Sequence, residues 1–151
     1  MSNSINEDIK VRKASSNDCR IIYKFVCDLE EQELEYGSFQ KGYLSNLNDP
    51  YNVYLVAEYL SEVVGFVSCH SDILLRLSGK RVGTIQEFYV EPEIRNLGVG
   101  RTLLDNLKSV MRMKSIIQLE VSSYRHREHK HQFYVKEKFV ETHKKFVYKV
   151  N

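Results

Sequence analysis

Proline occurs only twice in the 151 residues, cysteine three times, and no stretch is built from one repeated composition. The scarcity of proline and the absence of biased tracts exclude a proline-rich linker, a repeat array and a low-complexity tail. Cys19, Cys27 and Cys69 form an odd set with no C-x-x-C pair, which excludes a disulfide framework; each sits in an apolar run, where a small buried thiol is expected. No run of about 18 apolar residues occurs, and the opening stretch Met1–Lys10 lacks an apolar leader core. Neither a membrane span nor a secretion signal is therefore expected, and with reduced cysteines a cytoplasmic location follows. Strong charge is missing too: 22 basic residues against 20 acidic ones leave a net charge of +2. That is too little to hold nucleic acid by contacts to many phosphates.

What is present is the composition of an ordinary globular chain, 42% hydrophobic and 28% charged. At this length one domain, 1–151, buries roughly two thirds of the surface its unfolded chain exposes. Alternation in Ile9–Ala14 predicts a strand. "SSND" then offers a capping box, with Asp18 three residues after Ser15, ahead of a helix carrying Ile21, Ile22, Phe25, Val26 and Leu29 and stopped at Gly37. A second short helix is expected from Phe39 to Pro50. Two β-branched and aromatic runs, Val53–Leu60 and Glu62–Leu75, predict a hairpin, and Arg81–Val90 a third strand. Val99, Leu103, Leu107, Val110 and Met111 share one helical stripe. Ile116–Val121 reads as a buried strand, Glu128–Lys138 as a helix and His143–Val150 as a closing strand. The order predicts an α/β domain with a mostly antiparallel sheet.

Two of the seven glycines fall in "RNLGVGRT", Arg95 to Thr102, between strand and helix. A helix start presents unpaired N–H groups and roughly half a positive charge, glycine lets a ligand approach the backbone, and Arg95 and Arg101 add cations. The loop suits a pyrophosphate. It lacks the third glycine of a dinucleotide fingerprint and the Gly-Lys-Ser/Thr of a P-loop. A plain tight turn is the competing reading of the two glycines.

With "YVEP" before it and "LL" after it, this string resembles the acyl-CoA loop of the Gcn5-related N-acetyltransferases (GNAT), and nearly the whole chain follows that family's order. "CDLEEQELEYGSFQKGYLSNLNDP", "EVVG", "IQEFYVEPEIRNLGVG" and "HQFYVKEKF" are similar in spacing to the aminoalkylphosphonate N-acetyltransferases within it. The resemblance implies a mixed, mostly antiparallel sheet of six to seven strands flanked by about four helices. It implies acetyl-CoA as co-substrate, with Phe88, Tyr89 and Val90 meeting the pantetheine by main-chain contacts. Arg95, Asn96, Leu97, Gly98, Val99, Gly100, Arg101 and Thr102 then surround the pyrophosphate. Tyr134, in the position matching the family's "FYxxxGF", is implied as the acid that protonates the leaving thiolate; a core aromatic is the alternative.

Direct transfer also needs a base, because only a neutral amine attacks. Strict alternation places Thr84, Gln86 and Phe88 on one face, the one implied to look into the site, and Ile85, Glu87 and Tyr89 on the other. Thr84 and Gln86 are thus the substrate-binding candidates. Since neither is a base, a water chain bonded to both is the expected substitute, and Glu87 is read as structural. Glu33, Glu35, Tyr36 and Lys41 fall where the family builds one wall of the acceptor site. His126, His129 and His131 lie close together. A divalent ion is associated with the phosphonate-acetylating relatives, but H-x-x-H-x-H matches no zinc signature, so no metal ligands are assigned. The implied enzyme is an acyltransferase moving acetyl directly, in a ternary complex, to a small primary amine, with an aminoalkylphosphonate as first choice. A polyamine, an amino acid or a protein N-terminus is the alternative acceptor; a non-catalytic acetyl-CoA sensor is the rival from another class. Many members of the family dimerise, so a homodimer is compatible with the resemblance.

Overall fold

The computed structural model describes residues 8–151; the start of the chain read above for a leader lies outside them up to Glu7. The chain packs as two compact units, one reaching Glu120 and one from Val121 to Asn151.

Five strands make the sheet: β1 (Ile9–Lys13), β2 (Val53–Tyr59), β3 (Glu62–Leu74), β4 (Lys80–Val90) and β5 (Gln118–Val121), in spatial order β1-β2-β3-β4-β5. β1 through β4 pair antiparallel, as the hairpin pattern requires. Helices α1 (Cys19–Glu30) and α2 (Tyr36–Leu47) follow β1, and α3 (Val99–Met113) connects β4 to β5.

Each face of the sheet has its own helices. Ile22, Phe25, Val26 and Leu29 of α1 form one buried cluster with Tyr54, Val56, Phe66 and Tyr89 from three neighbouring strands. α3 buries Val99, Leu103, Leu104, Leu107 and Met111, and each such leucine contributes about 1.5–3 kcal/mol by leaving water. It lies on the opposite face: a Cβ on Gly65 would sit 3.1 Å from Leu103, and one on Gly83 3.0 Å from Cys69 and 3.1 Å from Met111.

The entry to α1 follows the capping box. Ser15 N–H donates to Asp18 at 2.7 Å, Ser15 Oγ accepts from Asn17 N–H, and the Arg12 guanidinium donates two bonds to Asp18 at 2.8 and 2.9 Å. The exit departs from the expectation. α1 stops at Glu30 because Glu31 turns left-handed (φ 56°), whereas Gly37 lies inside α2, its N–H accepted by Glu35 at 2.9 Å. A carboxylate cap upstream allows a helix to begin before a glycine that, in sequence, reads as a stop.

In the second unit α4 spans Glu128–Lys136, and residues 139–151 carry neither helix nor strand. The sheet of the described residues thus has five strands instead of six to seven, and the closing strand expected at His143–Val150 is absent. Alternation in sequence makes a segment competent for a strand; only a neighbouring strand with free N–H and C=O groups makes it one.

Candidate active site

The turn into α3 has the geometry its glycines suggest. After a 3₁₀ turn at Pro92–Ile94, Asn96 (φ 69°) and Gly98 (φ 93°) both take left-handed conformations, and α3 starts at Val99 with no capping side chain. The left-handed value explains glycine at 98, since a Cβ there costs about 1–2 kcal/mol. The Thr102 hydroxyl is turned back to the Gly98 carbonyl (2.8 Å), so it leaves the first-turn N–H groups unblocked. Arg95 donates from Nε to the Val90 carbonyl at 2.8 Å and lies 5.4 Å above the Tyr89 ring. Phe88, Tyr89 and Val90 pair with β3 on one side. β5 starts beside the beginning of β4, where Ile117 N–H reaches the Arg81 carbonyl at 3.1 Å. Being four residues long, it falls short of Phe88–Val90.

A bulge in β4 overturns the strict alternation. Ser68 pairs with Glu87, but its successor Cys69 pairs with Ile85, so Gln86 has no partner across the ladder. Cross-strand partners share a face. Tyr54 pairs with Ser68 and Ser68 with Glu87, while Tyr54 packs in the α1 cluster. His70, bonded to the Tyr54 hydroxyl, pairs with Thr84. Thr84, Glu87 and Tyr89 therefore share the α1 face, Ile85 and Phe88 take the α3 face, and Gln86 is exposed at the bulge. The expected grouping of Thr84 with Gln86 and Phe88 is corrected: the extra residue shifts the two-residue phase by one.

Glu87 thus lies on the α1 face, a placement missed because the bulge is a property of the β3 pairing. Its only sequence signal is Ser68, a polar residue in the apolar run Val64–Cys69. The Ser68 hydroxyl donates to Glu87 Oε1 at 2.6 Å and accepts the Glu87 N–H at 3.0 Å. Burial pushes the carboxyl above its usual 4.5; the Ser68 bond and the nearby His70 draw it down, and Glu30 pushes it up. Asn46 donates to the Tyr54 hydroxyl, which is hydrogen-bonded to His70 Nε2, both at 2.9 Å, so the polar groups around Glu87 are tied into α2 and β3.

A cleft of about 620 Å³ opens between the end of α1, the segment after it and the loop ahead of α3. Asp28, Glu31 and Glu33 line it together with Lys24 and Arg95, over a floor of Tyr23, Cys27 and Tyr89. The Tyr89 hydroxyl donates to Asp28 at 3.2 Å. Glu87 is two residues before Tyr89 on the same face, about 7 Å along the strand. Of the other wall candidates, Glu35 is spent on capping α2, accepting from Gly37 N–H and Ser38 N–H, and bonds to Ser38 hold its carboxyl below 4.5. Tyr36 lies under the Arg20 guanidinium at 4.1 Å, and Lys41 is exposed.

In the second unit Tyr134 is buried on α4, edge-on to Phe139 at 5.4 Å. Burial pushes its phenol up to about 12, with the Arg127 charge pulling the other way. His126 stacks on Tyr124, and His131 Nε2 donates to the Tyr124 carbonyl at 2.9 Å. Among the described residues no three His, Cys, Asp or Glu side chains gather as a metal site, and no helix is long and apolar enough to cross a membrane.

A short strand beside β4, an uncapped glycine turn into a helix and a half-buried carboxylate near a cleft suit an acyltransferase of mixed α/β architecture. The family model of the acetyltransferase (GNAT) family matches residues 19–139, and the chain belongs to that family. It is similar to the aminoalkylphosphonate N-acetyltransferase of Salmonella typhimurium, with 32% identity over 137 residues, 91% of this chain and 88% of that one. Its fold matches a transcriptional regulator from Bacillus halodurans (TM-score 0.85, 18% identity, 93% and 99% of the two chains). It likewise matches an aminoglycoside 6'-N-acetyltransferase from Acinetobacter baumannii (TM-score 0.81, 14% identity, 95% and 98%). The chain is an N-acetyltransferase.

Proposed function

We propose that the protein transfers acetyl from acetyl-CoA directly to a small primary amine, with an aminoalkylphosphonate as the acceptor. The observation that carries the reading is the placement of Glu87: a carboxyl raised by burial, held by Ser68, on the face that leads to a cleft carrying both signs of charge. The uncapped start of α3 suits the CoA pyrophosphate, which Asn96 to Thr102 would hold by main-chain N–H groups with Arg95 and Arg101 alongside. Phe88, Tyr89 and Val90 would meet the pantetheine arm.

Glu87 takes the role of base in place of a water chain on Thr84 and Gln86. It accepts a proton from the bound ammonium, directly or through one water; the neutral nitrogen attacks the acetyl carbon, the C–N bond forms, the C–S bond breaks, and the second proton shed by the acylated nitrogen replaces the one the phenol gives to the thiolate. A phenol pushed up to about 12 keeps its proton throughout the working range, so Tyr134 has one to give to the thiolate. Thr84 remains an acceptor contact, whereas Gln86, exposed at the bulge, is off that face. Asp28, Glu31 and Glu33 attract the ammonium, and Lys24 offers charge to the phosphonate. The match to the Salmonella enzyme supports that choice.

The test is the initial rate of CoA release with aminoalkylphosphonates, diamines and amino acids, with and without a divalent ion. Selective turnover of the phosphonates is the expected result. Tight acetyl-CoA binding without turnover of any amine would sink the enzymatic assignment, and selective turnover of diamines would sink the acceptor.

A further inference from the structure

His70 offers two ring nitrogens, and one of them is engaged. Nε2 lies 2.9 Å from the Tyr54 hydroxyl, and the two rings are nearly parallel, at an interplanar angle of 5°. Nδ1 has no hydrogen-bond partner among the described residues, although the side chain is half-buried. Tyr54 is itself buried, and Asn46 Nδ2 donates to its oxygen at 2.9 Å. Burial pushes the phenol up to about 12, so it holds its proton. A buried hydroxyl proton needs an acceptor. The arrangement that satisfies the whole chain sends that proton to Nε2, which puts the ring's own proton on Nδ1. Nδ1 then carries a proton whether the ring is neutral or charged.

Ser68 and His70 follow one another on the α1 face of β3, and Glu87 and Thr84 stand opposite them on β4. Successive residues on one face are about 7 Å apart, so imidazole and carboxyl are separated by a span that one water closes. The Ser68 hydroxyl already donates to Glu87 Oε1, whereas Oε2 has no hydrogen-bond partner among the described residues. An unmatched donor therefore stands beside an unmatched acceptor. A positive charge on His70 also draws the carboxyl down, which places each within reach of the other's field. The other titratable groups near Glu87 are Glu30 of α1, which pushes it up, and Tyr54 of β2. From α2 come Asn46 and Tyr43, whose hydroxyl is spent on the Ser15 carbonyl at 2.7 Å.

We propose that His70 is a positioning residue for Glu87: its Nδ1–H, fixed by the Asn46–Tyr54 chain on the other nitrogen, donates through one water to Glu87 Oε2. The bond favours the ionised carboxyl and so keeps it ready to take a proton. Its use in the reaction rests on Glu87 being the base; the bond itself is read on the carboxyl without turnover.

The experiment is a pH titration of the Glu87 carboxyl by infrared difference, without acceptor, in wild type, His70→Gln and His70→Asn, each compared with the same protein carrying Glu87→Gln. Profiles of kcat/KM against pH accompany it, with an aminoalkylphosphonate and with a diamine. The amide of glutamine reaches the place of Nε2, and that of asparagine the place of Nδ1. His70→Gln should keep the Tyr54 bond and the melting temperature, yet the ionisation constant of Glu87 should fall at least about threefold. The acid limb of kcat/KM should move to higher pH with it. His70→Asn should melt lower, because the Tyr54 hydroxyl loses its partner, while the ionisation constant stays within about twofold of wild type. An unchanged constant in His70→Gln overturns the proposal, as does an equal fall in His70→Asn. A loss of kcat/KM confined to the phosphonate would make His70 an acceptor contact and overturn it too. If His70→Asn does not fold, the constant in His70→Gln decides alone. An acid limb that survives Glu87→Gln overturns the base, and with it the positioning role, whatever the carboxyl titration shows.

Discussion

Ser68 and Glu87 hold each other by two hydrogen bonds, hydroxyl to carboxylate at 2.6 Å and backbone N–H to hydroxyl at 3.0 Å, across the one place where the β3–β4 register slips. The serine is fully buried, so the carboxylate it touches is fixed in both depth and direction. The pair makes the proton chemistry testable.

Glu87→Gln should lower kcat by about 10²–10⁴-fold, the usual worth of a positioned base, while leaving acetyl-CoA affinity within about twofold. Isothermal titration and steady-state rates measure the two. A variant retaining most of its kcat would return Glu87 to a structural role.

The pH profile follows from the direction of the shift. Burial raises the Glu87 carboxyl above 4.5, so the base is available only above that raised value, and kcat/KM should climb with pH through it. The Ser68 bond lowers the carboxyl; Ser68→Ala should therefore move this limb to higher pH, and Glu87→Gln should abolish it. Stability moves the opposite way. A group raised on folding favours the native state most below its unfolded value and loses that contribution as pH rises through the folded value. Glu87→Gln should accordingly melt higher than wild type at pH 8, and the gain should vanish near pH 4.

Gly98 and Gly100 separate backbone strain from ligand approach. Gly98→Val places a β-branched residue at φ 93° and should cost about 1–2 kcal/mol of stability as well as CoA affinity. Gly100, inside the first turn of α3, has no such constraint. Gly100→Val should hold its melting temperature, since valine is no worse than glycine in a helix, yet raise the acetyl-CoA Kd at least about tenfold. Unchanged affinity in Gly100→Val would remove the loop from the binding site.

Tyr134→Phe should reduce kcat by about 10²-fold with little change in KM for acetyl-CoA, as removal of a general acid does. Rates on an acetyl thioester with a more acidic thiol, which needs no protonation to leave, should recover in the variant. Absence of that recovery would assign the residue to packing instead.

Asp18 offers a test of the scaffold. Its carboxyl is held below 3.8, first by the Arg12 guanidinium, against the effect of its own burial. Asp18→Asn should cost about 1–3 kcal/mol at neutral pH, the worth of hydrogen bonds to a charged group. Because this group is lowered on folding, its contribution is complete above 3.8 and disappears as pH falls through the folded value. The difference in melting temperature between wild type and variant should shrink in that acid range.

Much of this molecule was legible one element at a time. The hairpin Val53–Leu75, the stripe of α3, the capping box at Ser15 and the glycine turn at Gly98 all depend on neighbours within a few residues. Their physics is local: side-chain period, cap hydrogen bonds and allowed φ. At the start of α2 the deciding group was local, the Glu35 cap two residues ahead of Gly37, but the phase of β4 was set from elsewhere in the chain, by its pairing with Ser68 of β3.

What the sequence determined by itself is the order of elements and a loop fit for a pyrophosphate, since helix starts and glycine turns carry their own hydrogen-bonding logic. Which side of the sheet Glu87 takes was decided only by the tertiary structure. A two-residue alternation assigns faces only if no residue is skipped, and the skip at Gln86 arises from the pairing of two strands, a relationship between distant segments that no local pattern encodes.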